Sequence, residues 1–255
     1  MTGRPLTEFD FDAVDFVTSD HHFGHARISE LAGRPFGSVD EMNAAMIDRW
    51  NAIVGPDDVV LHLGDLALGP IEESVGLTSQ LNGRRLLVPG NHDRVSPATQ
   101  SNRAIERFLP MYEAAGWTVL PEIVEGQRGG ARLIASHYPF EGDTTGVERH
   151  SSHRPADTGV PLLHGHTHDR AFGAHGSHEF HVGVDASGFA PIRFDVIDAW
   201  LASLQAVLPT RTERCELPFV RANVEGEEVV METAVDLLTD EDHAAIARSA
   251  PCVSN

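Results

Sequence analysis

Short apolar runs that stop abruptly in polar, metal-capable side chains recur along this chain. Leu86, Leu87 and Val88 pass through Pro89 into Gly90-Asn91-His92-Asp93. An apolar run stopped by Pro-Gly predicts a strand whose carboxyl end presents the polar residues behind it. In open α/β sheets that edge is where ligands bind. Four further runs end in the same way: residues 14–18 in Ser19-Asp20-His21-His22, 59–63 in Gly64-Asp65, 133–136 in His137, and 160–163 in His164-Gly165-His166-Thr167-His168.

Between these runs the apolar period lengthens. Met42, Ala45, Met46, Trp50 and Ile53 recur at helical spacing and predict a helix over 40–54, with Ser38 or Asp40 as its cap. Helices are also expected over 71–81, closed by Asn82-Gly83, and over 100–109, ahead of Pro110. Residues 117–124 and 131–135 predict two strands joined by a polar turn at 126–130, and 191–208 a strand and a helix carrying Ile197, Trp200, Leu201 and Leu204. Residues 1–13 read as a loose lead-in and 26–38 as a loop over the site. Residues 138–160 form a loop of a length usually reserved for function. Strand-helix alternation followed by strand-strand pairing predicts an α/β fold of two packed sheets with helices outside. This pattern fills 1–208 as one domain. Residues 209–255 form a C-terminal extension that packs on the domain or contacts a partner, with a hairpin around Val224-Glu225-Gly226 and a helix from near Thr239.

The strand ends carry a consistent chemistry. Asp20 and His22, two positions apart on extended chain, point to one side and can grip one ion. Asn91 offers a hard amide oxygen, and His92 an imidazole that can ligate or move protons. A lone tetrad of this kind is more often a hydrogen-bonded turn; five metal-capable strand ends in one chain argue against that reading.

Taken in order, Asp20-x-His22, Gly64-Asp65, Gly90-Asn91-His92-Asp93, His137 and Gly165-His166-Thr167-His168 resemble the signature of the calcineurin-like metallophosphoesterases. The match comes nearer a small phage and bacterial subgroup through Ser19-Asp20-His21-His22-Phe23-Gly24-His25, the stretch from Trp50-Asn51 to Gly64-Asp65, and His181-Val182-Gly183-Val184-Asp185. The resemblance implies a four-layer α/β/β/α sandwich. It also implies two divalent ions, one held by Asp20, His22 and His168, the other by Asn91, His137 and His166, with Asp65 bridging them. Nitrogen and oxygen donors without thiolate suit Mn first, with Fe, Zn or Ni as alternatives. Two ions ~3.5–4 Å apart can clamp an in-line displacement and supply hydroxide at neutral pH. In the family's pattern His92 faces the leaving-group oxygen as general acid or transition-state stabiliser, with Asp93 orienting its ring.

Around that centre Asn91, His25, Arg94 and Arg154 are candidate substrate contacts, as are Arg27, Arg34, Arg149, His150 and His153. His62 and His164 fit buried supporting positions better than ligand positions. His181 is expected to face the site, and His175 and His178 to lie in loops.

Composition narrows the substrate. The formal charge of −19 comes from 38 acidic and 19 basic residues, every base being arginine. So acidic a chain repels long polyanions, which argues against a broad nucleic-acid groove; two divalent ions invert the charge locally and still admit a small phosphate ester. The two cysteines, Cys215 and Cys252, lie in the C-terminal extension and supply neither a core disulfide framework nor a thiolate zinc site. No apolar run approaches the ~20 residues of a membrane span, so a cytoplasmic protein is expected. The sequence leaves the oligomeric state open. The expected activity is a phosphodiesterase acting on compact diesters such as 2',3'- or 3',5'-cyclic nucleotides. A single-strand nuclease, a phosphomonoesterase or a protein phosphatase on the same site is the alternative, and a non-catalytic scaffold would be expected to show broken ligand sets.

Overall fold

In the computed structural model, residues 8–143, 149–207, 220–224 and 227–231 are described. The first unit, 1–207, is built from two sheets. One has the order β11-β2-β3-β4-β5, with β2 (Phe16–Thr18), β3 (Val59–His62), β4 (Arg84–Leu87) and β5 (Trp117–Val119) parallel, and β11 (Ile192–Arg193) antiparallel at the edge. The other has the order β1-β6-β7-β8-β10-β9, formed by β1 (Phe9–Asp10), β6 (Ile123–Arg128), β7 (Ala131–Ser136), β8 (Leu162–His164), β9 (Gly173–His175) and β10 (Glu179–His181).

Strand alternation decides what each face buries. Val17 and Leu61 of the first sheet meet Leu133, Ala135, Leu163 and Phe180 of the second in one core between the sheets. The neighbouring positions Phe16, Val60 and Leu87 turn outward, against Met42, Met46 and Trp50 of α2 (Val39–Asn51), Val75 of α3 (Ile71–Leu77) and Tyr112 of α4 (Asn102–Ala114). Phe194, Ile197, Trp200 and Leu201 of α5 (Phe194–Val207) join the inter-sheet core. This is the α/β arrangement of two packed sheets flanked by helices that the sequence predicts. Ser38 caps α2 by accepting from the Glu41 N–H, also as predicted.

Several local expectations change. Residues 9–13 are structured: β1 pairs with β6, and Phe11 is fully buried. The run 117–124 is two strands in different sheets, because Pro121 interrupts it, and β6 continues through Gly126 to a turn at Gly129-Gly130. A Cβ on Gly126 would strike the Phe9 carbonyl, so a glycine there permits the β1 pairing rather than making a turn. Helix α4 runs through Pro110, held by core contacts on both sides of it, at Ile105, Phe108, Leu109, Met111 and Tyr112. The loop 26–38 contains a short helix, α1 (Ile28–Leu31), and His175 lies in strand β9.

In the second unit, β12 (Val220–Val224) pairs antiparallel with β13 (Glu227–Met231), as the hairpin reading expects. The helix expected near Thr239 and both cysteines lie outside the described residues. Among the described residues, no helix is long and apolar enough to cross a membrane.

Candidate metal centre

Five strands deliver their carboxyl ends to one place. β2, β3 and β4 lead into Asp20, Asp65 and Asn91, while β7 and β8 of the other sheet lead into His137 and into His166 and His168. Asp20 and His22 do not reach it on extended chain: their φ values are 62° and 54°, and Asp65, His166 and His168 share this left-handed backbone, at 55°, 72° and 54°. Five non-glycine residues in that region within one site mark stored strain, which tight surroundings must hold. The packing is tight enough to need glycine. A Cβ on Gly64 would strike Gly90, and one on Gly90 would strike Asp65 and His137.

The hydrogen bonds decide where protons sit, and they leave lone pairs facing one another. His137 Nδ1 lies 2.8 Å from the Leu63 carbonyl, so it donates there and leaves Nε2 bare in the neutral ring. His166 Nε2 lies 3.1 Å from Asp143 Oδ2 and holds its proton towards it; burial, then the neighbouring His137, pushes His166 down to about 4, so its Nδ1 is bare at neutral pH. His137 Nε2 is 3.1 Å from both His166 Nδ1 and Asn91 Oδ1. With both rings neutral, two lone-pair nitrogens and an amide oxygen at that spacing repel one another, and a cation among them would relieve it.

The second grouping is Asp20, His22 and His168, whose donor atoms all fall within 4.8 Å of one another. His168 Nδ1 donates to Asp185 Oδ2 at 2.8 Å and turns Nε2 towards His22 Nε2, 3.1 Å away. His22 is buried and held neutral, well below its usual range, by burial and then by His168. Asp65 stands between the groupings: its Oδ2 is 3.6 Å from His22 Nε2 and 3.6 Å from His137 Nε2. Its Oδ1 accepts the His92 backbone N–H at 2.9 Å, which fixes the carboxylate. A buried donor set of imidazoles, carboxylates and one amide oxygen fits divalent cations of the Mn, Fe or Zn kind.

The calcineurin-like phosphoesterase family model matches residues 16–170, which span all seven candidate ligands from Asp20 to His168. The chain belongs to the calcineurin-like phosphoesterases. Gene 66 protein of Mycobacterium phage L5 is 32% identical over 72% of this chain and 92% of its own length. Gene 66 protein of Mycobacterium phage D29 is 33% identical over 67% and 87%. A solved protein of unknown function from Aquifex aeolicus matches in fold with TM-score 0.52 and 21% identity, over 72% of this chain and 97% of its own.

In this phosphoesterase His92 is set beside the ligand groupings and is 42% exposed at its side chain, with Nε2 3.9 Å from Asp65 Oδ2. His92 and His25 line a cleft of about 530 Å³ with Asn91, Asp65, Arg149 and the apolar Ile28, Leu31 and Ala32. Asp93 does not orient the His92 ring. It is fully buried and accepts the backbone N–H groups of Asp65, Leu66 and Gly90, at 2.9, 3.2 and 2.8 Å, with the Tyr112 hydroxyl at 3.5 Å. Burial and then the charge of Asp65 push the Asp93 carboxyl up to about 7. Its work is to lock the Gly64-Asp65 turn against the Gly90-Asn91 turn, because three N–H donors converge there and His92 points the other way, into the cleft.

Three arginines are placed differently from expectation. Arg94 lies over the Phe108 ring at 5.9 Å and is not among the cleft residues. Arg154 is used inside its own loop, donating to the carbonyls of Pro139 and Gly142 at 3.2 and 2.8 Å. Arg34 is buried, so a substrate phosphate does not reach it. It holds Asp185 in a two-pronged ion pair at 2.8 and 2.9 Å and donates to the carbonyls of His21 and Asp20 at 2.9 and 2.7 Å. His62 and His21 form a buried pair, Nε2 to Nδ1 at 3.0 Å, beneath the site.

Two orienting carboxylates escape a reading by ligand type. Asp185 fixes His168, and Asp143 fixes His166, the second-layer role that aims a ligating imidazole. Asp185 is held down to about 2: burial alone would raise it, but the bonds from His168 and Arg34 outweigh that. For His168, burial lowers the basicity and the Asp185 bond with the Asp20 charge more than restores it. Asp185 stands in the His181-to-Asp185 stretch that marks the subgroup, so a signal for it exists in the sequence. Asp143 has none.

Proposed function

We propose that this phosphoesterase is a metal-dependent phosphodiesterase with a two-ion centre, acting on small diesters of the cyclic-nucleotide kind. The observation that carries the reading is Asp65 Oδ2 standing 3.6 Å from each of two imidazole nitrogens that belong to separate ligand groupings. Asp20, His22 and His168 would hold one ion, Asn91, His137 and His166 the other, and Asp65 both. When bound, the pair supplies Lewis-acid polarisation of phosphoryl oxygens and a water acidic enough to attack at neutral pH. The protein's own groups supply the rest. His92, exposed at the cleft and rooted through its backbone on Asp65, donates a proton from Nε2 to the departing alkoxide oxygen.

The cleft supports a compact diester. Its polar floor stands against the apolar wall of Ile28, Leu31 and Ala32, and its volume of about 530 Å³ suits one nucleotide-sized ligand. Arg94 lies over Phe108, and Arg154 and Arg34 are bonded within the protein, so among the described residues Arg149 is the one arginine lining the cleft, too little for a polynucleotide track.

The test compares kcat/KM on 2',3'- and 3',5'-cyclic nucleotides, a linear dinucleotide and a phosphomonoester, for wild type and His92→Ala. Cyclic diesters are expected to lead. The variant should lose ~10²–10⁴-fold in kcat on diesters while keeping its metal content. A clear win for the monoester, or an unchanged kcat in His92→Ala, would sink the reading.

A further inference from the structure

Beside the Asp65 centre, on the face of the six-stranded sheet turned from the inter-sheet core, pairing register gathers a second set of ligand-type side chains, with His181 nearest Asp20. His181 lies opposite His164 in the parallel pair β10–β8, and Glu179 lies opposite His175 in the antiparallel pair β10–β9. Opposite residues share a face. Leu163 and Phe180, the alternate positions of β8 and β10, fill the core between the sheets, so His164, Glu179 and His181 project to the other side. Donor atoms of His164, His175 and Glu179 all fall within 4.8 Å of one another.

The protons are arranged as they are in ligating imidazoles. His164 Nδ1 donates to the Gly165 carbonyl at 2.9 Å, so Nε2 is a bare lone pair; it is buried and has no partner. His175 turns Nε2 towards Asp169 Oδ2 at 3.5 Å, leaving Nδ1 buried and likewise without a partner. In His164 one nitrogen is bonded to an oxygen and the other is bare, the pattern that outer contacts impose on metal-binding histidines, and His175 faces Asp169 more loosely in the same sense. Glu179 is oriented too, its Oε1 accepting the Phe140 N–H at 2.8 Å. His181, its ring 5.5 Å from that of His164, is buried with neither nitrogen satisfied. Of nine buried side-chain polar atoms without a partner among the described residues, four belong to His164, His175 and His181. Such atoms are costly unless something fills the site.

We propose that His164, His175 and Glu179 bind a further divalent cation of the zinc type, with His181 or water as the remaining ligand. Two imidazoles and a carboxylate without thiolate are a zinc donor set, and are nitrogen-rich for calcium or magnesium. The ion ties edge strand β9 to β8, the strand that runs directly into His166 and His168, and so braces the turn carrying those two side chains. An open cleft of about 900 Å³ borders Glu179 and gives an entry path.

The experiment measures zinc per chain on full-length, chelator-stripped and zinc-reloaded protein, together with the zinc-induced rise in Tm. It compares wild type, Asp65→Ala, Asp65→Ala/His175→Ala and Asp65→Ala/Glu179→Gln. His175 is half-exposed on an edge strand, so its loss leaves the core intact, and Glu179→Gln keeps shape. Each double variant should bind about one zinc fewer per chain than Asp65→Ala alone and lose the zinc-induced rise in Tm. Equal zinc in Asp65→Ala and both double variants, or a folded Asp65→Ala protein that binds none, would overturn the proposal. The step from wild type to Asp65→Ala separately reports the two-ion centre, so the two readings fail independently.

Discussion

Asp65→Ala is expected to empty the phosphoesterase centre and to lower kcat by ~10³-fold or more. Loss of one preorganised charge-stabilising group already costs ~10²–10³ in other active sites, and this carboxylate faces both groupings. Its Oδ2 is 3.6 Å from His22 Nε2 and from His137 Nε2, whereas Asp20, whose carboxylate also lies within 4.8 Å of His137, is grouped with His22 and His168 as well. Without it His137, His166 and Asn91 keep only neutral donors, which hold a divalent ion far less firmly. The side chain also anchors the His92 backbone N–H at 2.9 Å, so its loss should displace the proposed proton donor as well. Metal analysis of the purified variant beside its kinetics checks this: near-normal turnover with a full metal complement would show that Asp65 is not the bridge.

Arg34→Ala should be the most destabilising single change near the site, by ~3–5 kcal/mol, the range for removing one partner of a buried ion pair. The side chains of Arg34 and Asp185 are 0% and 2% exposed. Removing the guanidinium leaves the Asp185 charge unmatched and takes donors from the carbonyls of Asp20 and His21. Those carbonyls belong to the strained turn that carries Asp20 and His22, so the loss reaches ligand placement as well as stability. At ~2–4 °C per kcal/mol for a domain of this size, the melting temperature should fall by roughly 6–20 °C. Arg34→Lys should recover only part of it, since an ammonium cannot make the two-pronged contact. A thermal melt of the alanine variant within a degree or two of wild type would refute the assigned role.

The contrast between these two residues shows what the sequence carries. Asp65 is legible because its chemistry lies in its type and place: a carboxylate after Gly at the end of an apolar run. Asn91, His137, His166 and His168 are legible for the same reason, and the helical spacing of Met42, Met46 and Trp50 made α2 legible too. Arg34 is not. A lone arginine in a Gly- and Pro-rich stretch reads as a solvent-facing phosphate contact, and only the long-range approach of Asp185, 151 positions away, turns it into a buried clamp. Asp93 misleads through proximity: next to His92 in sequence, it points into the protein while His92 points out. The turn geometry sets those directions, and residue type does not report it. Gly126 and Pro110 mislead in the same way, because pairing with Phe9 and packing of α4 override local propensity. The His164, His175 and Glu179 grouping depends on strand register, which no spacing along the chain reveals.

If the converging lone pairs of the Asp65 centre hold catalytic divalent ions, removing metal must abolish turnover. Hydrolysis of bis-p-nitrophenyl phosphate by chelator-stripped protein, assayed with and without added Mn, tests it most directly. The stripped protein should be inactive, and Mn should restore turnover in proportion to the metal bound. Undiminished hydrolysis by protein verified to be metal-free would contradict the account.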